Sequence, residues 1–387
     1  MRILICGAGI AGQATAFWLA RGGHRVTVVE RFASLRATGA QVDLRGQGIE
    51  VVERMGLLDK VRSRLVDEAG VSFVDAKGRA RATIMANTSG KGRQSLTSEY
   101  EIMRGDLVRI LHDATKDDVE YVFGVSKEDG DPDGYDLVVG VDGQGSRLRR
   151  AVLPPGSPDP YRRVGIHMAY WFVPRIASDS NIRDTYNATG GRMIMRRSHN
   201  PAETQVYFVL RERSDEASAV HREPVERQKQ FWAGRFRDAG WQVGRFLDGM
   251  ATTPSFYSQE VLQVRTDTWS RGNVVLVGDA AYCASPYSGM GTSGGLVGAY
   301  VLAGEINRNA GDLPTALKSY DATLRPFVDN IQAEVKPRLL RLSMPDSRLA
   351  IGALHSVTAL ACRLRIPELV ARLSTEDRGG DWKLPDY

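Results

Sequence analysis

The first thirty residues constrain this chain more than any other stretch. Arg2-Ile3-Leu4-Ile5-Cys6 reads as a short buried strand, Gly7-Ala8-Gly9-Ile10-Ala11-Gly12 as a tight turn, and Gln13 to Arg21 as a helix with Ala14, Ala16, Phe17, Leu19 and Ala20 apolar. A second strand, Arg25 to Val29, ends at Glu30, about 18 residues past Gly12. Gly7 permits the turn, Gly9 lets a pyrophosphate approach the backbone, and Gly12 lets helix and strand close on each other. The helix start at Ile10 and Ala11 offers free N–H groups and a positive dipole end to phosphates. Glu30, followed by Arg31, is placed to accept hydrogen bonds from a ribose hydroxyl pair. A bare glycine-rich turn is the competing reading, but the strand before and the helix after favour a bound dinucleotide.

Two later stretches repeat this grammar. Asp136 to Val141 is a continuous apolar strand, as in a parallel sheet covered on both faces, and Asp142-Gly143-Gln144-Gly145 turns at its end. Asn273 to Val277 is another, with Gly278-Asp279 at its end, then Pro286, Gly289, Met290, Gly291 and Thr292 leading into a small-residue helix. Carboxylates at strand ends lie where open α/β sheets bind ligands.

Between these stretches the pattern changes. Val71 to Val74 and Arg81 to Met85 read as a hairpin that leaves the first domain for a second. A helix follows over Leu107 to Ala114, with Arg104 just before it. From Val164 to about Val261 the chain reads as antiparallel strands (Gly165 to Val173, Arg192 to Arg196, Gln205 to Leu210) backed by a helix over Val225 to Asp238. His167, Tyr170, Met193, Met195, Tyr207 and Phe208 are candidates to line an apolar pocket, with ordinary core packing as the alternative for each. Asp43, Arg45 and Arg104 stand open between solvent and the far end of a cofactor. Tyr320 to Arg338 reads as a helix interrupted near Pro326. Leu349 to Leu373 reads as an apolar helix broken at Pro367 and packed across both domains, with a membrane or partner role as the alternative.

These elements, in this order, resemble the single-component FAD-dependent aromatic hydroxylases (class A flavoprotein monooxygenases). The resemblance implies an α/β fold: a Rossmann-like FAD-binding domain over 1–70, 99–160 and 264–318, an antiparallel-sheet substrate domain over 71–98 and 161–263, and C-terminal helices over 319–387. It implies that FAD is held by Gly7, Gly9, Ile10, Ala11, Gly12, Glu30, Arg31, Asp43, Arg104, Asp142, Gly143, Gly278, Asp279, Pro286, Gly289, Met290, Gly291 and Thr292, with Pro286 also facing substrate. NADPH or NADH would reduce the flavin, and a C4a-hydroperoxide formed with O2 would hydroxylate an aromatic or polycyclic molecule. The Gly39 to Gly48 and Arg104 segments look most like the tetracycline-inactivating branch, so a tetracycline-like substrate and a part in antibiotic resistance belong to the implied range. The chain departs from the family at Tyr282, where His is frequent, and at Ser293 and Gly298, where Asn and Asp are. The link from Phe123 to Tyr135 also lacks room for the strand pair usual there. Alternatives on the same fold are a halogenase, which the absence of a Trp-x-Trp-x-Ile-Pro run disfavours, a flavin dehydrogenase, and a non-catalytic nucleotide-binding protein.

Composition narrows the partners. A net charge of +5, scattered mostly on Arg, leaves no basic stripe for nucleic acid. Three distant cysteines suit neither a disulfide framework nor a zinc site, so a reducing cytoplasm is expected, with the protein a monomer or dimer and no metal. No apolar run approaches the roughly 20 residues of a membrane span.

Overall fold

The computed structural model describes residues 1–86, 99–126, 134–333, 341–366 and 381–387. The chain opens with β1 (Arg2–Cys6), α1 (Ile10–Arg21) and β2 (Arg25–Glu30), then β3 (Gln41–Asp43), α2 (Gln47–Arg54) and α3 (Leu58–Arg62). The hairpin β4 (Gly70–Val74) and β5 (Ala80–Met85) comes next, followed by β6 (Glu101–Met103), α4 (Arg104–Asp113), β7 (Glu120–Phe123), β8 (Leu137–Gly140) and α5 (Arg149–Val152). The excursion comprises β9 (Tyr161–Pro174), β10 (Ile182–Ala188), β11 (Arg192–Arg197), β12 (Glu203–Arg211), α6 (Asp215–Ala219), α7 (Val225–Phe236), α8 (Val243–Thr252) and β13 (Tyr257–Val264). The return is β14 (Ser270–Arg271), β15 (Val274–Leu276), α9 (Asp279–Tyr282), α10 (Gly291–Arg308), α11 (Leu313–Ala333) and α12 (Arg348–Arg363).

Two main sheets result. One is six-stranded in the order β14-β15-β8-β1-β2-β7, parallel except for the β14 edge. Its central strands β1 and β8 are buried almost throughout, because α1 and α10 cover a face and apolar residues must then fill both sides of each strand. The other is seven-stranded, β13-β9-β12-β11-β10-β4-β5. It is antiparallel with one exception: β10 runs parallel to β4, because the β4–β5 hairpin arrives from the first domain. A small β3–β6 ladder bridges the two halves.

Each main sheet has its own core. Ile3, Ile5, Leu137 and Val139 pack with α10 and α11 in the first, and Trp171, Phe208, Trp232, Phe236 and Phe246 fill the second. Two strands and two helices of the second half, β10, β13, α6 and α8, escape the sequence reading; in the strands, alternation is blurred by buried polar residues, Thr185 and Asn187 in β10 and Glu260 and Gln263 in β13.

The C-terminal region differs from expectation. α11 begins at Leu313, so the boundary at 318/319 falls inside a helix whose Leu317, Tyr320, Leu324 and Phe327 belong to the first core. It also runs through Pro326, since Pro326 and Ala322 both lie on the exposed side, where water takes the carbonyl that proline leaves unbonded. Among the described residues α12 is not packed across the two domains: it rests chiefly on β5 and β10 of the second sheet, and none of its residues is buried. Arg338, residues 367–380 with Pro367 and Leu373, and most of the short link before Tyr135 lie outside the described residues.

Candidate active site

The three glycine turns meet. A Cβ built on Gly12 would lie 1.9 Å from the Gly7 carbonyl oxygen, and one on Gly7 (φ +123°) would lie 2.7 Å from the Val141 oxygen, next to Asp142. A Cβ on Gly278 would come within 3.0 Å of the Ala11 side chain, and one on Gly295 within 3.1 Å. The second and third turns are tied by Arg149, buried, whose guanidinium donates to the Ala280 carbonyl at 2.8 Å and to the Gln144 carbonyl at 2.8 Å. Backbone contact at these distances admits no side chain, which is why small residues fill the junction.

Around the junction the donors stay open to a ligand. α1 begins at Gly9 and α10 at Met290 with no side-chain cap and no acidic residue in either first turn, so both present N–H groups and a positive dipole end. Beside Gly9 a Cβ would meet only Arg104, at 3.7 Å. Glu30 closes the end of β2: its carboxylate accepts from the Ala8 N–H at 2.9 Å and the Phe32 N–H at 3.1 Å. Asp142 accepts from the Arg147 N–H at 2.7 Å and shapes the second turn, while Gly143 faces open space. Asp279 touches solvent although protein walls surround it, and that desolvation raises its carboxyl above the usual range despite the nearby Arg104. Pro286 is exposed in the cleft, Gly289 takes the left-handed conformation, Met290 is fully buried, and Gly291 and Thr292 open α10 half-exposed. Uncapped helix starts, open glycines and an accessible carboxylate fit the phosphates, ribityl chain and ring of an FAD.

The loop opposite is built from backbone and arginine. Arg104 starts α4 and donates to the carbonyls of Arg36 (3.0 Å) and Thr38 (2.9 Å); burial, then the nearby Arg36 charge, lower its pKa. Asp43 pairs with buried Arg45 at 3.1 Å. Ser293 pins the same loop, its hydroxyl accepting from the Arg45 N–H and donating to the Arg45 carbonyl. Arg31 stays apart, exposed, its guanidinium over the Phe32 ring. Tyr282 and Gly298 form a compensating pair: a Cβ at 298 would lie 1.7 Å from the Tyr282 hydroxyl, which instead meets Tyr320 at 3.1 Å.

The seven-stranded sheet faces this groove with one set of alternate residues. Tyr170 lies between Tyr207 and Tyr257, ring centroids 5.7 and 5.1 Å apart, with the Arg36 guanidinium 5.6 Å from the Tyr257 centroid. Burial pushes the Tyr257 phenol up to about 12. Met168, Met193 and Met195 continue the same face and pack with Tyr287 of the third turn and with buried Met344. Two of the expected pocket residues point the other way. Strand alternation puts Phe208 and His167 on the helix-packed face: Phe208 stacks on Phe236 at 4.2 Å, and the His167 ring bonds His221 (2.9 Å) and the Glu212 carbonyl (3.1 Å). The sequence reading missed Tyr257, Tyr287, Arg36 and Met344. Tyr257 had a signal, since it stands directly opposite Tyr170 once β13 is recognised.

Residues 1–104 and 134–334 match the family model described as an FAD binding domain. The chain is 36% identical to the FAD-dependent monooxygenase asL4 of Sarocladium schorii over 100% of this chain and 98% of that protein. It is also 36% identical to the flavin-dependent monooxygenase eupH of Phoma sp, over 100% and 98% of the two chains. Among solved structures, tetracycline destructase Tet(51) superimposes with a TM-score of 0.76 at 30% identity, covering 100% of this chain and 99% of that one.

Proposed function

Because this chain belongs to the FAD-binding family of flavin-dependent monooxygenases, we propose that it consumes NADPH or NADH and hydroxylates an aromatic or polycyclic small molecule, tetracycline-like compounds included. The observation that carries this reading is the junction of three glycine turns opening onto a tyrosine- and methionine-lined sheet face. When bound, FAD supplies the redox chemistry, taking a hydride from the nicotinamide and using O2 so that one oxygen atom enters the substrate and the other leaves as water. The electrons balance: substrate, O2, NAD(P)H and a proton give hydroxylated product, water and NAD(P)+.

The chain's own residues position and shield. Gly7, Gly9, Gly12 and the α1 start would hold the pyrophosphate, Glu30 the adenosine ribose, and Asp279 the ribityl region. Backbone N–H groups at the start of α10, Gly291 and Thr292, would stabilise negative charge at the flavin's ring edge. Arg104 and Asp43 would contribute to holding the flavin from the loop opposite. Tyr170, Met193, Met195 and Pro286 would offer an apolar surface to the substrate, joined by Tyr257 and Tyr287, with Tyr207 buried against Tyr170. No side chain is assigned as a general base.

The test is direct. The purified protein should carry a flavin absorbing in the blue, and a screen of phenols, quinones and tetracyclines should find compounds that accelerate NAD(P)H oxidation and gain one oxygen atom from labelled O2. Flavin reduction by NAD(P)H without label in any product would replace this reading with that of a dehydrogenase.

A further inference from the structure

The helix α12 is held to the body on one side only. Ile351, Leu354, His355, Thr358 and Cys362 turn inward and are half-buried. Leu349, Ala353, Val357, Leu360 and Leu364, spaced by four, four, three and four residues, form a stripe on the outside. Leu349 is 89% exposed, Val357 67%, Leu360 57% and Leu364 61%. Met85, at the end of the β5 strand beneath, and Leu342, ahead of the helix, are exposed as well. An aliphatic patch continuous over four helical turns marks an interaction surface rather than ordinary solvated surface.

Its charge says what it meets. From Ser347 to Ile366 the sequence holds three arginines, one histidine and no carboxylate. Arg348 at one end of the stripe, and Arg363 and Arg365 at the other, are all exposed. An apolar stripe flanked by cations suits a helix lying in a bilayer interface, with arginines at lipid phosphates. A second copy suits it less, because a two-fold pairing of the same face would set these cations against one another.

We propose that α12 docks this protein on an anionic lipid surface, the Leu349 to Leu364 stripe sunk among acyl chains and Arg348, Arg363 and Arg365 at the phosphates. The attachment is peripheral: among the described residues no helix is long and apolar enough to cross a membrane. The segment leading into α12 also forms part of the cleft wall, through Met344 against Met193, Met195 and Tyr287 and through the Asn187 amide donating to the Ser343 carbonyl at 2.9 Å. Docking therefore sets the mouth of the cleft beside the phase into which apolar ring compounds partition. That consequence rests on the proposed function; the docking itself does not.

Vesicle flotation of the FAD-loaded protein tests it without reading activity. Vesicles of phosphatidylcholine mixed with phosphatidylglycerol should carry the protein up, and phosphatidylcholine alone should bind it at least about tenfold more weakly. Val357→Asp with Leu360→Asp should abolish flotation, and Arg348→Gln with Arg363→Gln should erase the preference for anionic lipid. The four positions are exposed, so melting temperatures should match the parent; if the aspartates lower it, the glutamine pair carries the test. Failure of the parent to float on anionic vesicles, or equal flotation of the aspartate variant, would overturn the proposal. So would a dimer in light scattering that Val357→Asp dissolves, which would give the face to a second copy.

Discussion

In the six-stranded half the groups offered to a ligand are main-chain N–H groups, brought close by glycines whose missing side chains leave no room to spare. In the seven-stranded half they are side chains, chosen by which of two faces a strand turns toward the groove. The first arrangement tolerates almost no substitution at the junction and depends little on what surrounds it. The second accepts many residues, yet a shift of one position along a strand exchanges the groove for the core. On the proposed function, the backbone half would govern whether a flavin is held at all, and the side-chain half which molecule is oxidised.

Substitution at the junction should have the largest effect. Gly12→Val would drive a branched side chain into the Gly7 carbonyl, a backbone group that cannot swing aside. The expected cost is about 3 kcal/mol or more, together with loss of the bound flavin's absorbance from whatever protein still folds. A yellow Gly12→Val protein with parental melting would show that the junction is looser than its distances require.

Next comes a matched pair within the second sheet. Phe208→Ala removes a fully buried ring stacked on Phe236 and should cost about 3–5 kcal/mol, with little change in KM for substrate in the protein that remains folded. Met195→Ala, on the opposite face of the same sheet, should raise KM for substrate while costing less stability, since it is only partly buried. Chemical denaturation and steady-state kinetics on both variants separate the two roles. If Phe208→Ala shifts KM and Met195→Ala does not, the assignment of faces is reversed.

The same contrast explains what could be read from the chain. The glycine turns were legible because their signal is local: Gly7, Gly9, Gly12 and Glu30 sit within one βαβ unit, and each has a reason that needs no partner. That the three turns serve one site was expected only through a resemblance, and the contacts of Gly278 with Ala11 and of Arg149 with Ala280 not at all, since nothing local brings positions more than a hundred residues apart together. On β9 and β12 the strands were recognised but their faces were not. His167, Tyr170, Tyr207 and Phe208 are all large and partly apolar, so alternation of polarity could not separate groove from core. Burial of polar residues such as Gln205 and Asn187 on the groove side erased the remaining contrast. The replacement of His and Asp by Tyr282 and Gly298 likewise looked like two losses until the structure showed one filling the other's space.

Asp279 probes the seam between the halves. Asp279 is exposed, yet the protein around it raises its carboxyl, so just above the ordinary aspartate value the folded chain keeps a proton that the unfolded chain has released. Stability from this group is thus greatest at low pH and is lost as pH rises from the ordinary aspartate value through the folded one. Asp279→Asn should make the flavin-free protein more stable at neutral pH and flatten that pH dependence. It should also weaken FAD binding by about 10- to 100-fold through loss of a charged acceptor. Thermal melts of the flavin-free protein and flavin titration read the two effects separately, and a variant that loses stability while keeping its flavin would remove Asp279 from the site.

The smallest effect belongs to the face turned away from the groove. His167 donates from Nε2 to the Glu212 carbonyl, because a carbonyl only accepts; its Nδ1 must then accept from His221 Nε2, and His221 Nδ1 must accept the Ser258 hydroxyl at 2.7 Å. Ser258 in turn accepts from the Trp232 indole at 2.9 Å. Every proton in this chain is assigned; a further one on His167 Nδ1 sets two donors face to face, and one on His221 Nδ1 costs the bond that the Ser258 hydroxyl donates. Burial lowers both imidazoles, His221 to about 3 with the neighbouring His167 as its second cause. For a base whose folded pKa is lowered, stability is present above the unfolded value near 6.5 and is lost as pH falls toward the folded one. The parent should therefore lose about 2 kcal/mol more than His221→Asn between pH 7 and pH 4.5, while flavin affinity at neutral pH stays the same in both. Parallel pH–stability curves for the two proteins would mean that the histidine pair is already open to water, and that the helical layer is not clasped to the sheet through it.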